Sequence, residues 1–119
     1  MTGITRFEPE PDTWQSSDET PPTAFTTDDH TERDHVYFAT ADEQLLTGVW
    51  ECAPSILEID SYPVHEVMTV LAGSVTITDN DADRSATFTA GDTFFIEKGT
   101  RLTWEITETL RKYLSLIHI

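Results

Sequence analysis

The chain has 119 residues, with 22 Asp and Glu against 7 Lys and Arg and a formal charge of −15. That length holds one domain with a core of its own, not a barrel plus a second independent unit. The acidic balance excludes nucleic acid and anionic membrane as partners, because both require a basic face.

Residues 1–34 carry four of the six prolines, many Thr, Ser, Asp and Glu, and only scattered apolar residues. Such a stretch cannot bury enough surface to offset its ordering entropy by itself. Phe7, Trp14 and Phe25 are nevertheless spaced like anchors for an extended arm lying on the domain or on a partner subunit. There is no apolar run near the N-terminus suited to a signal peptide and no window long enough for a membrane span, so the expected location is the cytoplasm.

From His35 to residue 119, short runs rich in β-branched and aromatic residues alternate with turn clusters, the pattern of an all-β sandwich or barrel. Strands are predicted over 35–40, 44–53, 55–62, 64–71, 74–79, 85–89, 93–97, 101–107 and 110–118. The breaks fall at Gly- or Asx-based turns: Ala72-Gly73, Asn80 to Asp83, Ala90 to Asp92 and Lys98-Gly99. Cys52, the one cysteine, lies among strand residues and reads as buried filler; alone, it excludes a disulfide-stapled secreted domain.

Asp60, Tyr62, Glu66 and Gly73 fall on the spacing H-x-H-x3-E-x6-G, and Gly91, Glu97, Gly99 and Leu102 on G-x5-P-x-G-x2-H. In these spacings the chain resembles the cupin superfamily, whose two motifs bring imidazoles and a carboxylate around one divalent ion. Gly48-Val-Trp50-Glu51, Glu66, Gly91-Asp92, Gly99-Thr100, Trp104-Glu105 and Arg111-Lys112 narrow the likeness. They resemble the subfamily that includes the cupin domains of (S)-ureidoglycine aminohydrolase and the ethanolamine-utilisation cupins, over Leu46 to Leu116. The resemblance implies a single jelly-roll β-barrel at residues 35–119 with an extended N-terminal arm at 1–34, a small-molecule ligand and a link to nitrogen or amine metabolism. It also implies a homodimer: an aminohydrolase of that kind carries two cupin domains in one chain, short cupins use such arms in dimers, and Val67 and Leu71 point outward.

Strand side chains alternate faces with a period of two. An inward Glu66, as the resemblance implies, carries Val64, Met68 and Val70 with it and turns His65 out. On the preceding strand Glu58, Asp60 and Tyr62 share one face and Leu57 and Ile59 the other. Periodicity alone leaves both choices open, and the cupin register turns Asp60 and Tyr62 towards the pocket. Lys112 shares its phase with Leu110, Leu114 and Leu116 and is the natural counter-ion for buried carboxylates, unless it snorkels to solvent. Trp50 and Trp104 are flat walls for a planar ligand or simply core; with Asp60, Met68 and Leu102 they complete the expected ligand-binding set.

Because Asp60 and Tyr62 stand where the family has histidines, and Leu102 where it has a fourth ligand, no resident metal or other cofactor is expected. Oxygen donors alone would bind at most a hard divalent ion, weakly. Two functions follow. One is a small-molecule-binding cupin with a carboxylate-lined pocket, for a ureide, an amine or an amino-acid-like compound. The other is a metal-independent acid–base enzyme of hydrolase or isomerase type, with Glu66 as base and Tyr62 or Lys112 as acid.

Overall fold

The computed structural model describes residues 3–118. Its strands are β1 (Gln15–Ser16), β2 (Glu32–Ala39), β3 (Leu45–Cys52), β4 (Ser55–Ile59), β5 (His65–Asp79), β6 (Arg84–Thr89), β7 (Thr93–Ile96) and β8 (Leu102–Ile117), with one 3-10 turn at Pro22–Ala24. Every pairing is antiparallel. Among the described residues no helix is long and apolar enough to cross a membrane.

The two long strands make the architecture. The C-terminal half of β8 lies between β3 and the first half of β5, and β2 and β7 extend that wall on either side. The N-terminal half of β8 lies between β4 and the second half of β5, with β6 beyond, and forms a facing wall. Side chains of the two inner faces meet in one apolar cluster that includes Met68, Val70, Val75, Leu102, Ile106 and Leu110. This is the all-β jelly-roll of a cupin.

The predicted turn at Ala72-Gly73 is instead a bulge within β5, so predicted strands 64–71 and 74–79 are one element, and 101–107 and 110–118 likewise join as β8. Gly73 has φ +83°, and a Cβ there would stand 2.0 Å from the Thr109 carbonyl oxygen. A glycine at this point bends the paired strands from one wall to the other without reversing them. Gly48 serves a close approach of β2 to β3, since a Cβ on it would lie 2.3 Å from the His35 carbonyl oxygen.

Residues 3–31 lie along the barrel. Phe7 stacks on Tyr37 at 4.9 Å and meets Tyr113 edge-on, Trp14 lies under the guanidinium of Arg33 at 4.3 Å, and Phe25 packs against the core. The first long strand begins at Glu32, three residues before the predicted start, because Glu32 to Asp34 continue the ladder opposite Cys52 to Trp50.

Candidate functional site

Between the walls lies a cavity of about 650 Å³. Its apolar lining comes from both sides: Leu46, Leu114 and Leu116 from one wall, and Leu57, Ile59 and Trp104 from the other.

Glu66, on the inner face of β5, is buried together with Tyr62 and Lys112. Tyr62 donates its hydroxyl proton to Glu66 Oε1 at 2.6 Å, and Lys112 Nζ donates to Oε2 at 2.9 Å. The ammonium also contacts Met68 Sδ at 2.8 Å and sits 4.8 and 4.7 Å from the ring centres of Trp50 and Trp104. Those two rings come from opposite walls and meet edge to face at 6.4 Å. Lys112 is thus held by a carboxylate, a soft sulfur and two π-faces, an arrangement that makes a desolvated ammonium tolerable. Burial, then the negative charge of Glu66, drives the Tyr62 hydroxyl far above the ordinary phenol range. Tyr62 is therefore a fixed hydrogen-bond donor to the carboxylate and a poor proton donor to anything else.

A second buried carboxylate secures the N-terminal segment. Glu32 accepts from Trp50 Nε1 at 3.0 Å, from Ser17 Oγ at 3.1 Å and from the Thr20 backbone N–H at 2.9 Å. This latch brings Glu19 and Thr20 to the cavity lining, where Asp34 and His35 of β2 and His118 also stand. Burial, then the neighbouring Glu32 charge, raises the carboxyls of both Glu19 and Asp34.

Of the residues singled out from sequence, Glu66, Tyr62, Lys112, Trp50 and Trp104 all line the cavity. Met68 and Leu102 are fully buried behind the lining; Met68 reaches the site only through its sulfur on Lys112. Asp60 is misplaced by the strand-phase reading. Strand β4 ends at Ile59, the chain bends at Asp60 and Ser61, and Asp60 and Glu58 are exposed while Leu57 and Ile59 face the cavity. The alternation does not carry through the bend, and Glu58 and Asp60 do not join Glu66 at Tyr62. His65 is outside the site: its Nδ1 accepts the Lys98 backbone N–H at 3.1 Å and its ring stacks on Phe95.

Glu19, Thr20, Glu32 and Asp34 were not identified from sequence. Starting β2 at Glu32 would have placed Glu32 and Asp34 on the face of Trp50, since Asp34 pairs with Trp50 and Glu32 with Cys52. Glu19 lies outside any strand and carries no periodic signal.

The chain matches the model of the EutQ-like cupin domain over residues 39–113 and belongs to that family. It is similar to a DUF861-family protein of unknown function from Pseudomonas syringae pv. tomato, with 26% identity and a TM-score of 0.79, covering 97% of this chain and 48% of that one. A DUF861-family protein from Thermotoga maritima is 29% identical at a TM-score of 0.54, with 58% of this chain and 76% of that one covered. The EutQ protein of Clostridium difficile shares the fold at 19% identity and a TM-score of 0.62, covering 75% of this chain and 69% of that one. No curated protein matches the chain.

The family's metal chemistry does not fit the residues present. Asp60 is exposed, Tyr62 keeps its proton, Leu102 is hydrocarbon, and both oxygens of Glu66 are taken, one by an ammonium that would repel a second cation. Among the described residues no three His, Cys, Asp or Glu side chains are grouped to hold a metal ion.

Proposed function

We propose that this cupin binds a small molecule between its two walls, a ureide, an amine or an amino-acid-like compound. The observation that carries the reading is a preformed cavity of about 650 Å³ with apolar walls and a few convergent polar groups. The Tyr62–Glu66–Lys112 trio satisfies its own hydrogen bonds, so a ligand gains apolar burial without first neutralising a bare charge. Trp50 and Trp104 flank the ammonium and report occupancy through their fluorescence. A thermal-shift screen of ureides, amines and amino acids tests the reading: stabilisation by a member of these classes, absent when Leu57→Trp fills the cavity, supports it, and a screen in which no member binds overturns it.

The second reading is a metal-independent acid–base enzyme, favoured by the contact of Glu66 with two proton-bearing groups. Lys112 is then the acid, because Tyr62 holds its proton too tightly. Turnover of a stabilising ligand that disappears in a folded Glu66→Gln variant would establish it.

Pairing of two copies, in the cytoplasm, belongs to the same proposal. Val67 and its cross-strand neighbour Phe95 are an exposed apolar pair on the outer face, and the Pseudomonas relative is about twice as long as the part this chain matches. The buried, unpaired Cys52 suits a reducing compartment. Light scattering should give twice the chain mass, falling to one in Val67→Lys; a wild-type monomer refutes the pairing.

A further inference from the structure

We propose that the ligand is a small organic cation, a primary ammonium on a compact apolar body, and that Glu19 from the N-terminal segment and Asp34 from β2 select it. The inference rests on the small-molecule reading of the same cavity and adds the charge of the ligand and the residues that read it.

The charges lining the cavity are unequal. The lining holds Glu19, Asp34 and Glu66 against one lysine, Lys112, and the imidazoles of His35 and His118, with Glu32 directly behind Trp50. Lys112 is committed to Glu66 at 2.9 Å, so that pair is closed and presents little net charge. What remains towards the opening is acidic. Among the described residues neither Glu19 nor Asp34 has a side-chain ion pair or hydrogen bond to another residue, unlike Glu32, Glu51 and Glu66. Both carboxyls are raised, first by loss of solvent and then by Glu32; Lys112 pulls Glu19 back down, Glu66 and Asp34 push it up, and His35 lowers Asp34, the balance staying upward in both. Carboxylates raised by neighbouring negative charge are relieved by a cation brought beside them and burdened by an anion. An anionic ligand reaching Lys112 would have to share its ammonium with Glu66, which already holds it at 2.9 Å.

Placement of Glu19 is not incidental. The Glu32 latch takes hydrogen bonds from Ser17 and Thr20, on either side of Asp18 and Glu19, and ties both to the Trp50 indole of the cavity wall. The segment is therefore fixed against the site, and the open-sided Glu19 carboxylate is held at the rim above walls of Leu57, Ile59 and Leu116. An ammonium at the rim with its hydrocarbon directed inward meets matching surroundings at both ends.

The test is calorimetric titration with three probes of one shape, benzylamine, benzyl alcohol and benzoate, against the full chain, Glu19→Gln/Asp34→Asn, and the cavity-filling Leu57→Trp. The amine should bind about tenfold more tightly than the alcohol and benzoate most weakly. The double variant, with an unchanged melting temperature, should lose about tenfold for the amine and stay within about twofold for the alcohol. Alcohol or benzoate binding as tightly as the amine, and lost in Leu57→Trp, overturns the cation inference and leaves the small-molecule reading standing. An amine preference that survives the double variant overturns the roles of Glu19 and Asp34. Binding of none of the three overturns the inference outright, and the broader ligand screen then decides the cavity reading separately.

Discussion

Replacing Lys112 with methionine keeps most of the hydrocarbon stem between Trp50 and Trp104 but removes the ammonium that neutralises Glu66. The remaining carboxylate is 4% exposed and retains only the Tyr62 hydroxyl as partner. Breaking a buried pair from one side costs about 3–5 kcal/mol, because the surviving charge is left without compensation. At roughly 4 °C per kcal/mol for a domain of this size, the melting temperature should fall by about 12–20 °C. Adding Glu66→Gln removes the stranded charge and leaves a neutral amide that accepts from Tyr62, so Lys112→Met/Glu66→Gln should recover at least about 2 kcal/mol relative to the sum of the single variants. Urea unfolding followed by circular dichroism, with tryptophan fluorescence as a second probe, gives all three free energies. A Lys112→Met loss below about 1 kcal/mol, or a coupling below about 0.5 kcal/mol, would refute the claim that this pair is a desolvated charge clasp.

Gly73→Ala should cost upwards of about 3 kcal/mol or abolish folding, since it combines a left-handed backbone with a Cβ 2.0 Å from the Thr109 carbonyl oxygen; a thermal melt is the readout. Glu32→Ala removes three hydrogen bonds and leaves the Trp50 indole N–H buried, a loss of about 1–3 kcal/mol with faster proteolytic cutting between Ser17 and Thr31 while the barrel stays folded. The Cys52 thiol, pushed up from 9.0 to about 11 chiefly by burial, should resist alkylation in the native protein at pH 8 and react on unfolding. Between pH 9.0 and about 11 the unfolded chain releases that proton and the native chain keeps it, so stability falls as pH rises; in Cys52→Ala this part of the alkaline loss should vanish from the pH-dependent unfolding curve.

The barrel was legible because its signals are local. Alternation along 64–71 and 110–118 puts Glu66 and Lys112 among inward apolar residues, and the structure keeps both phases. The phase argument fails at Asp60 because it was carried past the end of β4 into a bend, where alternation has no meaning. Ala72-Gly73 reads equally as a turn or a bulge, and only the pairing partner decides: here Thr109 of β8 crosses at backbone contact distance. Glu19 was illegible for a different reason. Its position depends on hydrogen bonds from Ser17 and Thr20 to Glu32, contacts between residues 12 and 15 apart with no repeating pattern to announce them.

The two charge arrangements divide the cavity by role. At the buried end both Glu66 oxygens already accept a hydrogen bond: Tyr62 occupies Oε1 and Lys112 occupies Oε2, and the high proton affinity of Tyr62 fixes the direction of its bond. A substrate seeking a proton acceptor there would have to compete with these two donors for Glu66 in a desolvated setting, and the coupling between Glu66 and Lys112 measures how firmly the carboxylate is held. At the rim, Glu19 and Asp34 have no such partners among the described residues, so an incoming cation meets groups that gain from it. On the proposed reading, the base of the cavity holds its own charges and the rim reads the ligand's. A strong Glu66–Lys112 coupling together with a Glu19- and Asp34-dependent amine preference would be the joint signature of that division.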